Sequence, residues 1–125
     1  MSTILWQRIE GALVFVAMLV VLISIDATSV LGPIWVLVLL FFAPDLSFVG
    51  YLGGPRLGAA VYNLVHLYGF GLAVIGVGFL QGVNEHFVML GLLWTAHAGF
   101  DRMLGYGLKE PTAFADTHLG RIGKG

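Results

Sequence analysis

Among the histidines and acidic residues of this sequence, four form a candidate metal site: His66, His97, Asp45 and Asp101. His97 and Asp101 are four residues apart, so on a helix they share one face. Two imidazoles and two carboxylates suit Zn²⁺, Fe²⁺ or Mn²⁺, either as four ligands or as three plus a water. A water bound to such a metal attacks esters, amides and phosphoesters. The set therefore predicts a metal-dependent hydrolytic site.

Further polar residues are candidates for supporting roles around that site. Glu10 and Asn63 are the candidate catalytic residues, with Glu10 as a base or either side chain orienting a ligand or a bound water. His118, near the end of the chain, is a candidate for a further ligand or a proton shuttle. Arg56 and Arg102 are expected to neutralise buried carboxylates.

The same residues also fit a structural explanation without metal. His97 and Asp101 suit a hydrogen bond to each other, and either aspartate suits an ion pair with an arginine. Such a network fixes helix register without any ligand. A haem is a third reading, which requires His66 and His97 on opposite sides of a roomy cavity. The residue types alone leave these readings open.

The composition shows where such a site would lie. The chain has 125 residues, is 58% hydrophobic and only 10% charged, and has no cysteine. A soluble domain has about 25% charged residues, whereas lipid-facing surface can stay apolar. The net charge of −1 gives no basic field for nucleic acid. We therefore expect an all-α polytopic membrane protein.

Charges and helix breakers divide the sequence into four apolar runs. The turn at 53–56 contains Pro55, and no formal charge occurs from 57 to 84, a run longer than the ~20 residues that cross a bilayer. The prediction is one membrane domain over 1–125, with helices at about 4–25, 30–50, 55–80 and 86–107 and a tail at 108–125. A cleaved signal peptide is the alternative for the first run, and a re-entrant segment, because of Pro44, is the alternative for the second.

The basic residues predict the orientation of this four-helix bundle. All six fall on one side of the four-span arrangement: Arg8, Arg56, Arg102, Lys109, Arg121 and Lys124. The opposite side carries Asp26 and Glu85. Basic loops stay in the cytoplasm, so both termini are expected there. The candidate site residues then lie within about 16 Å of the cytoplasmic helix ends.

Small residues on the fourth helix indicate a close helix contact. Gly91, Thr95 and Gly99 form a stripe of the kind that lets helix backbones approach in lipid. The contact is expected with a neighbouring helix or with another protomer, as part of a homo-oligomer or a larger membrane complex. Membrane lipid is the remaining expected partner.

Several blocks of the sequence resemble a bacterial domain-of-unknown-function family of small multi-pass membrane proteins. The resemblance extends over nearly the whole chain, and the blocks that carry it are Pro44 to Ser47, Gly54 to Gly58 with Tyr62, Asn63 and His66, Ala96 to Gly107, and Asp116 to Gly120. The resemblance implies a four-helix protein of the bacterial inner membrane and supplies no activity. A second, fainter resemblance is to membrane-bound metal-dependent hydrolases, which also combine a Pro-Asp element with helix-borne His and Asp.

Two classes of function follow from the sequence. The first is a metal-dependent hydrolase acting on a lipid-like or amphiphilic substrate from the cytoplasmic side. The second is a non-enzymatic membrane protein, either an accessory subunit or a small carrier, whose polar residues form a structural network.

Overall fold

The chain folds into helices, and the first and the last of them begin at a side-chain cap, Ser2 and Asn84. The computed structural model describes residues 1–123, which are helical apart from turns and one bridge between Lys109 and Thr117. Ser2 caps the first helix by accepting a hydrogen bond from the Leu5 amide at 3.2 Å. In chain order the elements are α1 (Thr3–Ser24), α2 (Ala27–Leu31), α3 (Ile34–Phe42), a 3₁₀ segment (Ala43–Gly53), α4 (Pro55–Val65), α5 (Tyr68–Leu80) and α6 (Glu85–Leu104).

Helix α6 is the centre of the bundle. It packs mainly against α1 and α5, and also against α2 and α3. Eleven of its 20 residues are buried, against two of 22 in α1. Gly91 and Thr95 lie against Gly71 of α5, and Gly99 lies against Gly11 of α1. The small-residue stripe is therefore occupied by helices of the same chain.

The run expected as one helix over about 30–50 is divided twice. Gly32 adopts φ +104° before Pro33, and α3 begins at the next residue. Proline disfavours a helical conformation at the residue before it, which explains this first break. Pro44 has no N–H to donate into the preceding turn, and the chain continues as 3₁₀ helix from Ala43 to Gly53. This second change of geometry places Asp45 at the start of the 3₁₀ segment.

The run expected as one helix over about 55–80 is also divided, at His66 and Leu67. Helices α4 and α5 meet there at an angle of 50°. α4 packs against the 3₁₀ segment, whereas α5 packs against α6. By comparison, α1 covers Thr3–Ser24 where 4–25 was expected, and α6 covers Glu85–Leu104 where 86–107 was expected.

Two helical segments are long and apolar enough to cross a membrane: Thr3–Ser24 and Ile34–Gly53. The bent pair α4–α5 is a third if it counts as one span. α6 is as long as a span but falls outside this set, because His97, Asp101 and Arg102 lower its mean hydropathy. The chain is thus an all-helical bundle with two to three helices suited to a membrane.

Candidate metal site

The break between α4 and α5 exposes two backbone carbonyls, and side chains of α6 bind both. The indole N–H of Trp94 donates to the carbonyl oxygen of Val65 at 2.7 Å. The guanidinium of Arg102 donates to the carbonyl oxygen of His66 at 3.4 Å. Free carbonyls at a helix end are costly away from water. These two contacts therefore stabilise the break and hold His66 at the end of α4 beside α6.

The four residues expected to bind metal meet at this break. Asp45, His66, His97 and Asp101 each offer one ligand atom, and these atoms lie within 4.8 Å of one another. His66 Nε2 is 3.2 Å from His97 Nε2 and 3.4 Å from Asp45 Oδ1. His97 Nε2 is 3.3 Å from Asp45 Oδ1, and Asp101 Oδ2 is 3.5 and 3.6 Å from the two nitrogens.

Five of the six separations among these atoms are close to the edge length of a coordination tetrahedron, and all four atoms lie within 4.8 Å of one another. Ligand atoms about 2.0–2.1 Å from a tetrahedral Zn²⁺ lie roughly 3.3–3.4 Å from one another. The five separations from 3.2 to 3.6 Å scatter around that value. The donor set of two imidazoles and two carboxylates is also one that divalent transition metals accept. The residues present therefore fit a metal ion in both geometry and chemistry.

A backbone hydrogen bond orients His66. Its Nδ1 lies 2.8 Å from the carbonyl oxygen of Tyr62, which can only accept, so Nδ1 carries the proton. Nε2 then presents a lone pair toward His97 and the two aspartates. A metal-binding histidine usually donates its other ring N–H to a carbonyl or carboxylate oxygen in this way. The ring also stacks on that of Tyr62, with centroids 3.7 Å apart.

Aromatic packing, in contrast, orients His97. Its ring makes edge contacts with Phe41 and Phe42, with centroids 5.2 and 6.0 Å away. Nδ1 of His97 is buried and has no hydrogen-bond partner among the described residues. The 3.2 Å separation of the two Nε2 atoms leaves no room for a porphyrin between His66 and His97. A haem with these two residues as axial ligands therefore does not fit.

A cavity of about 290 Å³ opens next to the cluster. The two aspartates line it, whereas the histidines lie behind them and are almost fully buried. The Asp45 side chain is the most accessible of the four, at 34% exposure. The cavity is lined by Asp45, Phe48, Tyr62, Asp101, Tyr106, Lys109, Phe114 and Ile122. The site is therefore closed on its histidine side and accessible on its carboxylate side.

Lys109 supplies a cation to this cavity. The residue is 4% exposed, and its Nζ lies 3.9 Å from the centre of the Phe114 ring and 5.1 Å from that of Tyr62. Burial lowers the pKa of Lys109, whereas the negative charges of Asp101 and Asp45 act in the opposite direction. Aromatic faces stabilise an ammonium group placed over them.

The tail reaches the cavity because Asn63 holds its backbone. The Asn63 amide donates to the Lys109 carbonyl oxygen at 2.8 Å and accepts from the Lys109 N–H at 2.6 Å. His118 Nδ1 accepts a hydrogen bond from the Leu108 N–H at 2.8 Å, and its Nε2 lies 3.0 Å from the side-chain oxygen of Gln7 on α1. Both residues thus hold the tail in place, away from the ligand atoms.

The remaining candidates lie in different surroundings. Glu10 is exposed on α1 and does not belong to the cluster or to the cavity lining within residues 1–123. Arg56 is exposed on α4. Arg102 is buried and donates to backbone carbonyls of His66 and Tyr106, in place of the expected carboxylate partner.

Two residues of the site were not singled out by sequence reasoning. Tyr62 donates its hydroxyl proton to Asp101 Oδ2 at 3.0 Å, and Lys109 lines the cavity. The spacing of Tyr62, four residues before His66, indicated only a shared face. No local pattern marked Lys109, because its position depends on the contact between the tail and Asn63.

A comparison with known protein families identifies the family of this chain. The chain belongs to the DUF4260 family. The model of that family, described as Domain of unknown function (DUF4260), matches residues 4–122. The match includes all four cluster residues and the tail as far as Ile122. Comparisons with curated proteins and with solved structures find no match.

Proposed function

We propose that this protein is a metal-dependent hydrolase of the bacterial inner membrane, with four spans and both termini in the cytoplasm. The observation that carries the proposal is the set of 3.2–3.6 Å separations among Asp45, His66, His97 and Asp101. The substrate is an amphiphilic or lipid-like molecule that reaches the site from the cytoplasmic face.

The four spans are α1, α3 with the 3₁₀ segment, α4 with α5, and α6. Support for α6 as the fourth comes from its length, since 20 residues of α-helix extend about 30 Å, the thickness of the hydrocarbon core. Its polar residues face protein, because His97, Asp101 and Arg102 are all buried. The cytoplasmic placement of the termini rests on the one-sided distribution of basic residues.

The cluster suits catalysis because its accessible side consists of carboxylates. A divalent metal held there would polarise an ester and activate a water. In this arrangement His66, His97 and Asp101 would hold the metal and leave its fourth position to the water. Asp45, the most exposed member of the set, is the proposed proton acceptor. The water gives a proton to Asp45 as its oxygen forms the new bond to carbon or phosphorus. The bond to the alcohol oxygen breaks, and the proton passes from Asp45 to the leaving alkoxide. Asn63 contributes by positioning the tail, and Glu10 has no role in this proposal.

Elemental analysis of the detergent-purified protein tests the metal. We expect about one Zn, Fe or Mn per chain, lost in His97→Ala and Asp101→Ala. His86→Ala is the matched control, because His86 is exposed at the start of α6, and it should keep the metal. Release of p-nitrophenol from long-chain p-nitrophenyl esters and phosphodiesters should follow metal content. A metal-free protein that stays folded and inactive after reconstitution with each metal contradicts the proposal.

One observation favours a second candidate, a non-enzymatic membrane protein. The cluster offers enough side-chain ligands to occupy all four positions of a tetrahedral metal, as in structural metal sites. In that case His97→Ala lowers the unfolding temperature sharply, and no hydrolysis accompanies a full complement of metal.

A further inference from the structure

Lys109 places a positive charge in the cavity beside the cluster. Within residues 1–123, Lys109 Nζ makes no hydrogen bond or ion pair, although the residue as a whole is only 4% exposed. The backbone of Lys109 is held by Asn63 and by the bridge to Thr117. An ammonium group that lines a cavity without a hydrogen-bonding partner is suited to bind an anion there.

The charge balance of the cavity depends on the proposed metal. Asp45 and Asp101 bring two negative charges, a divalent metal brings two positive charges, and Lys109 adds one more. The loaded cavity is therefore positive and attracts an anion, whereas the metal-free cavity is negative and repels it. Anion binding should thus require both the metal and Lys109.

The size and walls of the cavity indicate what the anion is attached to. A volume of about 290 Å³ is at the lower end for ligand pockets, so it suits a head group and not a whole lipid. Phe48, Phe114 and Ile122 line the same cavity and offer apolar surface to the remainder of an amphiphile. Lysine binds phosphate as a point charge, and a cation paired with a metal ion is a common way to stabilise a reacting phosphoryl group.

We infer that the cavity recognises the phosphate group of an amphiphilic phosphoester, with Lys109 as the specificity-determining cation. This inference rests on the proposed function and names its substrate class. It predicts that a phosphate-bearing lipid binds and that its uncharged or carboxylate counterpart does not.

Isothermal titration calorimetry on zinc-loaded protein in a neutral detergent tests the inference. The probes are dihexanoyl phosphatidic acid, dihexanoyl glycerol, hexanoate and inorganic phosphate. We expect the phosphatidic acid to bind at least tenfold more tightly than each of the other three. Equal or tighter binding of inorganic phosphate overturns the amphiphile assignment, and equal or tighter binding of hexanoate overturns the phosphate assignment.

Variants of Lys109 distinguish a failure of this inference from a failure of the proposed metal site. Lys109→Gln should weaken phosphatidic acid at least tenfold while it retains zinc, because the backbone contacts of Lys109 are unchanged. Lys109→Arg should restore most of the affinity. Arg56→Gln, which removes an exposed positive charge outside the cavity, is the matched control and should bind as the native protein does. Unchanged affinity in Lys109→Gln with zinc retained overturns the inference alone, whereas failure of the native protein to bind any metal overturns the proposed function itself.

Discussion

The hydroxyl group of Tyr62 donates a hydrogen bond to Oδ2 of Asp101, the same oxygen that lies 3.5 Å from His66 Nε2. The ring of Tyr62 stacks on His66, and its carbonyl oxygen accepts the Nδ1 proton of that histidine. One residue thus orients two members of the cluster, through its backbone, its ring and its hydroxyl.

Tyr62→Phe removes the hydroxyl contact and keeps the ring and the backbone. We expect the metal to bind about 10–100-fold more weakly, as when an outer-shell partner is lost. Competition with a chromogenic chelator measures this affinity. Tyr68→Phe is the matched control, because the Tyr68 hydroxyl is buried without a partner among the described residues. Equal affinities in the two variants would show that the hydroxyl of Tyr62 does not orient Asp101.

Trp94→Phe should destabilise the bend between α4 and α5. The variant keeps an aromatic ring near Phe70 but leaves the Val65 carbonyl without the donor that now lies 2.7 Å away. Loss of a partner from a buried polar group costs about 1–3 kcal/mol. Thermal unfolding in one detergent measures the loss, with Trp35→Phe, at an exposed position of α3, as the control. A Trp94→Phe protein as stable as that control would contradict the role of the indole N–H.

The cluster could be predicted in part from the sequence because its chemistry is visible in residue types. The spacing of His97 and Asp101 indicates a shared helix face whatever the neighbours do. Asp45 and His66 lie on other segments, and only the expected depth of each helix related them to that face. The structure places all four ligand atoms within 4.8 Å of one another.

The interruptions of the helices were harder to predict, because one of them depends on distant residues. Gly32-Pro33 is a local signal for a helix break, but it lies within a long apolar run that also fits one continuous helix. The break at His66 has no proline; it is stabilised by Trp94 and Arg102, which come 28 and 36 residues later in the chain. Lys109 reaches the cavity through Asn63, a contact between residues 46 apart. Local patterns do not encode such pairings, so the cavity could not be predicted.

Asn63→Ala should release the tail from α4. The substitution removes both hydrogen bonds to the Lys109 backbone, each worth about 1 kcal/mol net. We expect faster hydrogen–deuterium exchange in the tail peptides around Lys109, and retained metal, because Asn63 does not belong to the cluster. Asn84→Ala is the control and should leave tail exchange unchanged, because Asn84 lies at the start of α6 and the tail follows the end of that helix. Unaltered tail exchange in Asn63→Ala would mean that other contacts suffice to hold it.

The docking of the tail should weaken in acid through His118. The ring nitrogens of His118 lie against Leu108 and Gln7. Partial burial lowers the pKa of His118 from its ordinary value of about 6.5, and the charge of Arg102 acts in the same direction, whereas the backbone of Leu108 and the charge of Glu110 act in the opposite direction. Below pH 6.5 the detached tail binds more protons than the docked tail, so docking loses stability as the pH falls toward the lowered pKa. The contribution of neutral His118 to tail docking is fully present above pH 6.5.

Hydrogen–deuterium exchange of the tail, corrected for intrinsic rates, measures this effect at pH 5 and pH 7.5. We expect the native protein to lose protection around Leu108 at pH 5. His118→Ala should be less protected at both values and should show little pH dependence. The same pH dependence in native protein and His118→Ala would assign the effect to another group.

Two glycine substitutions test the close packing of α5 against α6. A Cβ at Gly91 would lie 2.7 Å from the Gly71 carbonyl oxygen and 2.8 Å from the Ile75 amide nitrogen, so α5 and α6 would have to separate. A Cβ at Gly76, on another part of α5, would meet nothing within 4 Å. Gly91→Ala should therefore cost about 1–3 kcal/mol, whereas Gly76→Ala should be neutral or stabilising by up to about 1 kcal/mol through helix propensity. Thermal unfolding measures both changes, and metal content shows whether separation of the helices disturbs the cluster. Because α6 carries two of the four ligands, we expect Gly91→Ala to lower metal affinity as well as stability, and equal behaviour of the two variants would contradict the close crossing of α5 and α6.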